Sequence, residues 1–288
     1  MNLDIDHLRL WIGSEREYHD IITPRLANSL SAILDGAVDL KHGDPAPAGI
    51  HWCLAPDIAP MHLLGSDGHP PRGDFLPPVP LPRRMWAGGQ LRFRGEFLVG
   101  QSILCRSRIE DVYMKQGKGG ILCFVTVEHD YFCDGDMILN ERQDIVYREM
   151  NGSILPLATA ASGPSATVEA QEKREVISSS TLLQRYSAVT FNSHKIHYDR
   201  EYCRGVENYP DLVVHGPLQA TCLLSLACGM ANGRYPSIFD YRAARPLFLG
   251  RSFHVQGDME GEKGAFAAID HTGAITMSAI GAWTDPMC

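Results

Sequence analysis

Between Leu212 and Gly233 the chain carries no formally charged side chain. A run of that kind either crosses a membrane or forms a helix sealed inside the protein. His215, Gln219, Thr221, Ser225 and Asn232 interrupt it. Its uniformly apolar part, from Leu218, spans about 14 residues against the roughly 20 that a bilayer requires. The run therefore predicts a helix buried on all sides. Such a helix needs a cover, and three strand-like runs follow it: LFLGRSFHVQG, AFAAID and AITMSAIGAW, the last two joined by HTG.

The first half of the chain shows the same order of signals. In ITPRLANSLSAILDG, Leu26, Leu30, Ile33 and Leu34 fall on one helical face, with Gly36 as a stop. LVGQSILCRSRIEDVYM, GILCFVTVEHDYFC and DMILNERQDIVYRE are rich in β-branched and aromatic residues and are separated by KQGKGG and DGD. They predict an antiparallel meander. The second half opens on a helix-like stretch from Ser178 to Ala188. Between the halves, Ala158 to Thr167 has no charge and no large apolar residue, so it cannot bury enough surface to order as a core element. A chain of 288 residues suits two domains, and we expect units at residues 1–157 and 176–288 with a linker at 158–175. A long antiparallel sheet wrapped around one buried helix is the hot-dog architecture. The predicted fold is α+β, a double hot-dog in which each unit is a curved antiparallel sheet around a buried helix.

Charge and cysteines narrow the partners. The net charge is −8, from 26 basic and 34 acidic residues with no Lys/Arg-rich cluster, which excludes the electrostatic footprint of a nucleic-acid backbone or an anionic membrane. Any anionic ligand must then be held by a few local cations. The eight cysteines include no CxxC pair and sit mostly in apolar runs such as ILCF and TCLLSLACG, where a thiol packs as a small hydrophobe. The N-terminal MNLDIDHLRLWIG has no basic region followed by an apolar one. A reducing cytoplasm is the expected compartment. Neither G-x-G-x-x-G nor GxxxxGK[ST] is present, so no nucleotide cofactor is implied.

The densest cluster of chemistry lies at Asn192, His194, His197 and Asp199, within TFNSHKIHYD beside the second helix-like stretch. Thr-Phe-Asn-Ser is a poor helix interior, so these groups are expected on a turn leading into a short helix. One reading is architectural: the polar atoms cap the turn and a helix end, with Asn192 as an N-cap. The other is catalytic, since catalytic groups favour turns on rigid scaffolds. As a metal site, His194, His197 and Asp199 match no common zinc spacing, and no metal is expected.

The segment resembles the hydratase motif of MaoC-like and R-specific enoyl-CoA hydratases. There a small residue, Gly, Asp, any residue, Asn, Pro, an aliphatic residue, His, any residue and an acidic residue follow in order. Thr190 takes the small position, Phe191 the Gly, Asn192 the catalytic Asp, His194 the Asn, Lys195 the Pro, Ile196 the aliphatic, His197 the catalytic His and Asp199 the acidic residue. The spacing survives, but an amide stands where the carboxylate helps to activate water. Val214-His215-Gly216-Pro217 is similar to the His-Gly that opens the buried helix in that family. HWCLAP, LLGSDGHPPRGDFLPPVPLPRRMWAGGQLRF and ERQDIVYRE resemble the long two-domain branch of FAS1-like or HTD2-like dehydratases. That branch includes 3-hydroxyacyl thioester dehydratases and mesaconyl-C4-CoA hydratase, and TFN-x-H-[RK]-IHYD is its own form of the motif.

The resemblance implies reversible hydration of an enoyl thioester, of CoA or a carrier protein, with no cofactor and with a branched dicarboxylic acyl group as one candidate substrate. His197 would be the acid/base, Asn192 would orient water, and His194 and Asp199 would be further proton-transfer or orienting groups. His215 and Gly216 would bind the thioester, with the Gly216 N–H on its oxygen. The site would lie in the second domain, while the first, non-catalytic, shapes the acyl pocket. Arg83 and Arg84, and with less support Arg245, Arg242 and Arg251, are candidates for a CoA phosphate or a substrate carboxylate. Hot-dog units often extend their sheets across a two-fold axis, so a homodimer is expected. An acyl-thioester-binding protein without chemistry, or a hot-dog thioesterase, remains the alternative.

Overall fold

A computed structural model of the chain describes residues 3–117, 120–149 and 170–284. The expected boundary at Ala158 to Thr167 lies outside the described residues. After the short α1 (Ile5–Leu8) the first half runs β1 (Glu15–Ile21), α2 (Pro24–Ile33), β2 (Arg83–Phe93), β3 (Ser102–Gly117), β4 (Gly120–Cys133) and β5 (Asp136–Arg148). The second half runs β6 (Glu172–Val176), α3 (Ser180–Val189), α4 (Arg200–Gly205), α5 (Gly216–Met230), β7 (Ile238–Ala243), β8 (Phe253–Glu260), β9 (Lys263–Ile269) and β10 (Ile275–Ala282). β6 thus begins inside the stretch expected as linker, and its pairing with β8 moves the linker's end forward from residue 175.

The ten strands form one antiparallel sheet in the order β1-β3-β4-β5-β2-β7-β10-β9-β8-β6. Read outward from the β2–β7 junction, the two halves have the same internal order, so they are related by an internal pseudo-two-fold. The molecule is a double hot-dog whose sheets merge within one chain. Alternation fixes which face is buried: in β3, Ile103, Cys105, Ser107 and Ile109 point inward. A bulge between Ile109 and Asp111 then shifts the register, so that Val112 rather than Asp111 faces the core.

The uncharged run is α5. Ten of its residues are buried and they occupy every face, and it lies across the inner side of β7 to β10. No helix among the described residues is long and apolar enough to cross a membrane. In the first half the helical filling is α2 with the 3-10 turn Ile50–Cys53. Thr23 caps α2 by accepting the Leu26 N–H, and Leu26, Ala27 and Leu30 face the core. Its stop is a Schellman closure in which Asp35, not Gly36, takes the left-handed position, while the Gly36 N–H bonds the Ser31 carbonyl.

The halves are tied at the junction by a buried carboxylate. Glu141 accepts from the Trp52 indole N–H at 2.9 Å and from the Tyr241 hydroxyl of β7 at 3.2 Å. Trp86 of β2 stacks on Tyr241 at 4.6 Å and meets Trp52 edge-on. A Cβ added at Gly216 would lie 3.0 Å from the Trp86 ring. The sheet junction therefore backs the first turn of α5.

Candidate active site

The motif is held by the end of α3. Phe191, at φ 52°, occupies the left-handed conformation that the related motif gives to Gly, and the Asn192 N–H closes the turn onto the Ser187 carbonyl at 2.8 Å. The Asn192 Oδ1 accepts the His194 backbone N–H at 3.0 Å. An N–H there requires the oxygen, so the amide's remaining atom is Nδ2, which only donates. A 3-10 turn, Lys195–His197, then carries the second histidine.

His197 Nδ1 lies 2.8 Å from the Val213 carbonyl. A carbonyl only accepts, so Nδ1 carries the proton and Nε2 is the free, basic atom. Burial pushes the pKa of His197 down to about 4, although the Val213 carbonyl works in the opposite direction. The ring is therefore neutral at pH 7. His215 stacks on it with centroids 3.5 Å apart and bonds Ser187 Oγ through Nε2 at 2.9 Å. His215 is fully buried, which moves its pKa well below the ordinary value. It backs His197 rather than meeting a thioester, contrary to the expectation that placed it beside Gly216 on the substrate.

A cleft of about 340 Å³ opens at the sheet junction, and His197, Asn192, His194 and Gly216 line it together. Gly216 is the first residue of α5, where the backbone N–H has no intrahelical acceptor and the helix dipole is positive. Asp199 does not join them. It caps α4, accepting the Tyr202 N–H at 2.9 Å, so the capping reading made for Asn192 holds for Asp199.

The arginines separate. Arg83 is 4% exposed and bonds Glu207 through Nε at 2.9 Å as well as through a second contact to the Glu207 carbonyl. It is a structural cation, committed to a carboxylate 124 positions away, and not a free phosphate binder. Arg84 and Arg245 line the cleft, as Arg83 and Glu207 also do, but unlike Arg83 they have no carboxylate partner among the described residues. Replacing Arg83 with Met leaves Glu207 buried and unpaired, so the expected cost in stability is roughly 3 to 5 kcal/mol. Urea denaturation checks this, and adding Glu207→Gln should recover much of the loss.

Two residues that sequence reasoning did not single out also reach the site. Asp67 and His69 arrive on the irregular, Pro-rich segment between residues 54 and 82. Asp67 accepts the His69 backbone N–H and the His69 Nδ1, each at 3.0 Å. Burial raises the Asp67 pKa, but these bonds outweigh it and hold the carboxyl well below the usual range. The His69 ring lies 4.0 Å from the His194 ring and lines the cleft. Burial, aided by the Arg84 charge and opposed by Asp67, pushes its pKa down to about 4. Asp67, His69 and His194 place ligand-capable atoms within 4.8 Å of one another. As a metal site they are compromised, because the Asp67 carboxylate already serves both N–H groups of His69. Their visible sequence signal was Asp67-Gly-His69-Pro, two polar groups bracketing a Gly before a Pro.

Fold and cleft define a double hot-dog protein of the MaoC-like kind. Residues 49–249 match the family model described as hydroxyacyl-thioester dehydratase type 2, and the chain belongs to that family. It is 38% identical over 271 residues to mesaconyl-C(4)-CoA hydratase of Chloroflexus aurantiacus, covering 93% of this chain and 95% of that one. It is 25% identical over 272 residues to the mitochondrial hydroxyacyl-thioester dehydratase type 2 of Schizosaccharomyces pombe, covering 82% and 87%. A MaoC-like dehydratase from Phytophthora capsici has the same fold, with a TM-score of 0.72 at 14% identity over 99% of this chain and all of that one.

Proposed function

We propose that this chain is a hydro-lyase that reversibly hydrates the α,β double bond of an acyl thioester. The observation that carries the reading is the free Nε2 of a neutral His197 in one cleft with the opening residue of α5. In the hydration direction a water oxygen bonds C3 while His197 Nε2 takes one of its protons. The C2=C3 electron pair moves toward the thioester carbonyl, whose oxygen gains charge against the Gly216 N–H. His197 then returns the proton to C2, and dehydration is the reverse.

The substrate in this reading is an acyl-CoA with a second, branched carboxylate, such as mesaconyl-CoA. Two observations support that choice: Arg84 and Arg245 at the cleft, and the activity that names the 38%-identical relative, mesaconyl-C(4)-CoA hydratase. The first unit shapes the acyl pocket through Arg84, Trp86 and the loop that carries His69, and the second unit, which opens with β6, supplies His197 and Gly216. The homodimer and the cytoplasmic compartment belong to the same proposal. Seven free cysteines among the described residues support the compartment. The sheet pairing that motivated the dimer is already made inside the chain, by β2 and β7, so a dimer would use another surface.

A panel of enoyl-CoA esters, read by loss of conjugated absorbance, tests the reading. We expect turnover on enoyl-CoAs, fastest for dicarboxylic ones, and a KM raised by tenfold or more for those substrates alone in Arg84→Met, since a charge-assisted bond contributes about 1.5 to 3 kcal/mol. An Arg84→Met effect that is equal for mono- and dicarboxylic substrates would remove the second carboxylate from the proposal.

A further inference from the structure

A water that attacks C3 has two hydrogens, and in a dry cleft both need acceptors. His197 Nε2 accepts the one that is transferred. In the related motif a carboxylate is available for the other, but Asn192 stands in that place and turns a donor toward the cleft, because its oxygen is committed to the His194 N–H. His194 has no hydrogen bond among the described residues that would fix which ring nitrogen accepts. For the water's second hydrogen the motif therefore offers no acceptor whose position a hydrogen bond fixes.

The first half delivers one. His69 Nδ1–H donates to the Asp67 carboxylate, so His69 Nε2 is left as an acceptor, and the ring lines the cleft. The delivery is built into the backbone. The Lys195 N–H, inside the hydratase motif, donates to the Asp67 carbonyl at 2.9 Å, and the Ser193 hydroxyl donates to the Gly68 carbonyl. Gly68 sits at φ +89°, and a Cβ there would collide with the Ser193 carbonyl, so only Gly allows the two loops to meet this closely. A loop stitched to the motif by both of its central residues is a fixed part of the site.

We propose that the Asp67–His69 pair replaces the lost motif carboxylate, with His69 Nε2 accepting the second hydrogen of the attacking water. The proposal rests on the hydration reading. The water oxygen forms its bond to C3, its first proton passes to His197 Nε2, and its second hydrogen stays on oxygen, hydrogen-bonded to His69. The C2=C3 pair takes up the proton that His197 returns. The Asp67 carboxylate keeps its charge throughout, holds the His69 tautomer and makes the ring a stronger acceptor. In dehydration the same bond holds the departing hydroxyl group. His69 is thus a catalytic residue and Asp67 a positioning one.

The test measures kcat and KM for wild type, His69→Leu, Asp67→Asn and the double variant His69→Leu/Asn192→Asp, on the best enoyl-CoA, with circular dichroism as the check of folding. We expect His69→Leu to lose about 10²-fold in kcat with KM within threefold, the scale on which positioned acid–base partners act. Asp67→Asn keeps the loop's backbone bonds and should lose about tenfold. The decisive readout is rescue: restoring the motif carboxylate in His69→Leu/Asn192→Asp should recover at least tenfold in kcat, which a merely structural role for His69 would not allow. A His69→Leu or Asp67→Asn enzyme with wild-type kcat, or a folded double variant without rescue, overturns the proposal. Should His69→Leu not fold, Asp67→Asn decides alone. Absence of wild-type turnover on every thioester would instead remove the hydration reading itself.

Discussion

Replacing His197 with Ala is expected to lower kcat by about 10²-fold or more, with the fold retained, since general acid–base groups contribute on that scale. The expectation follows from the tautomer: the Val213 carbonyl holds the Nδ1 proton, so the variant removes the basic Nε2 that this bond leaves free to accept the transferred proton. His197→Gln retains a donor for Val213 but no proton shuttle, so it should be as inactive as Ala. Asn192→Ala should lose less, because Asn192 offers only a donor to the cleft. Circular dichroism and steady-state kinetics on the same preparations separate the loss of chemistry from the loss of fold. A His197→Ala enzyme near the wild-type rate would favour an acyl-thioester-binding protein or a thioesterase.

Acid should unfold the protein cooperatively between about pH 6 and pH 4. Burial drives His51 down to about 3 and His129, His69 and His197 to about 4, and holds His194 and His215 low as well. The unfolded chain binds protons at these residues near pH 6.5 and the folded chain does not, so stability rises with pH across the window. It is fully present above 6.5 and is lost as pH falls toward the folded values. His51 and His197 alone correspond to about 5 and about 3 kcal/mol, which is comparable with the whole stability of a domain. Glu141 acts in the opposite direction. Burial raises its pKa to about 7, so its carboxyl favours the folded state more as pH falls from 7 to about 4.5, by about 3 kcal/mol. The histidines outweigh it. Neither ring nitrogen of His51 has a hydrogen-bond partner, and the nearest carboxylate, Glu141, lies 4.0 Å from Nε2, so His51→Leu should shift the acid midpoint downward by half a pH unit or more in a fluorescence titration. A fold that persists cooperatively below pH 4 would contradict the burial assigned to these rings.

What the sequence displayed and what it concealed divide along chain distance. The uncharged run specified α5 because its lack of charge is a local property, and TFNSHKIHYD specified its own turn because Asn192 and Asp199 make their bonds within five residues of themselves. Arg83 does reach the cleft, but its commitment was hidden because a free and a paired guanidinium have the same sequence, and its partner Glu207 lies 124 positions away. Asp67 and His69 were hidden for the same reason: only the fold decides which loop touches the motif. Asp199 was visible but ambiguous, since one carboxylate serves equally to cap α4 or to orient an imidazole. His215 was seen as a neighbour of Gly216 in sequence, whereas its ring points the other way, onto His197 and Ser187. The β2–β7 junction escaped notice because nothing in a strand's sequence names its partner across a pseudo-two-fold.

The central claim is that water adds to a carbon–carbon double bond while the thioester stays whole. Incubating the enzyme with an enoyl-CoA substrate in ¹⁸O-labelled water and following the products by mass spectrometry tests it most directly. The expected product is an intact acyl-CoA with a single ¹⁸O in a hydroxyl at C3, formed about 10²-fold more slowly by His197→Ala than by the wild type. Label in a released carboxylate, with free CoA thiol appearing alongside it, would contradict the account.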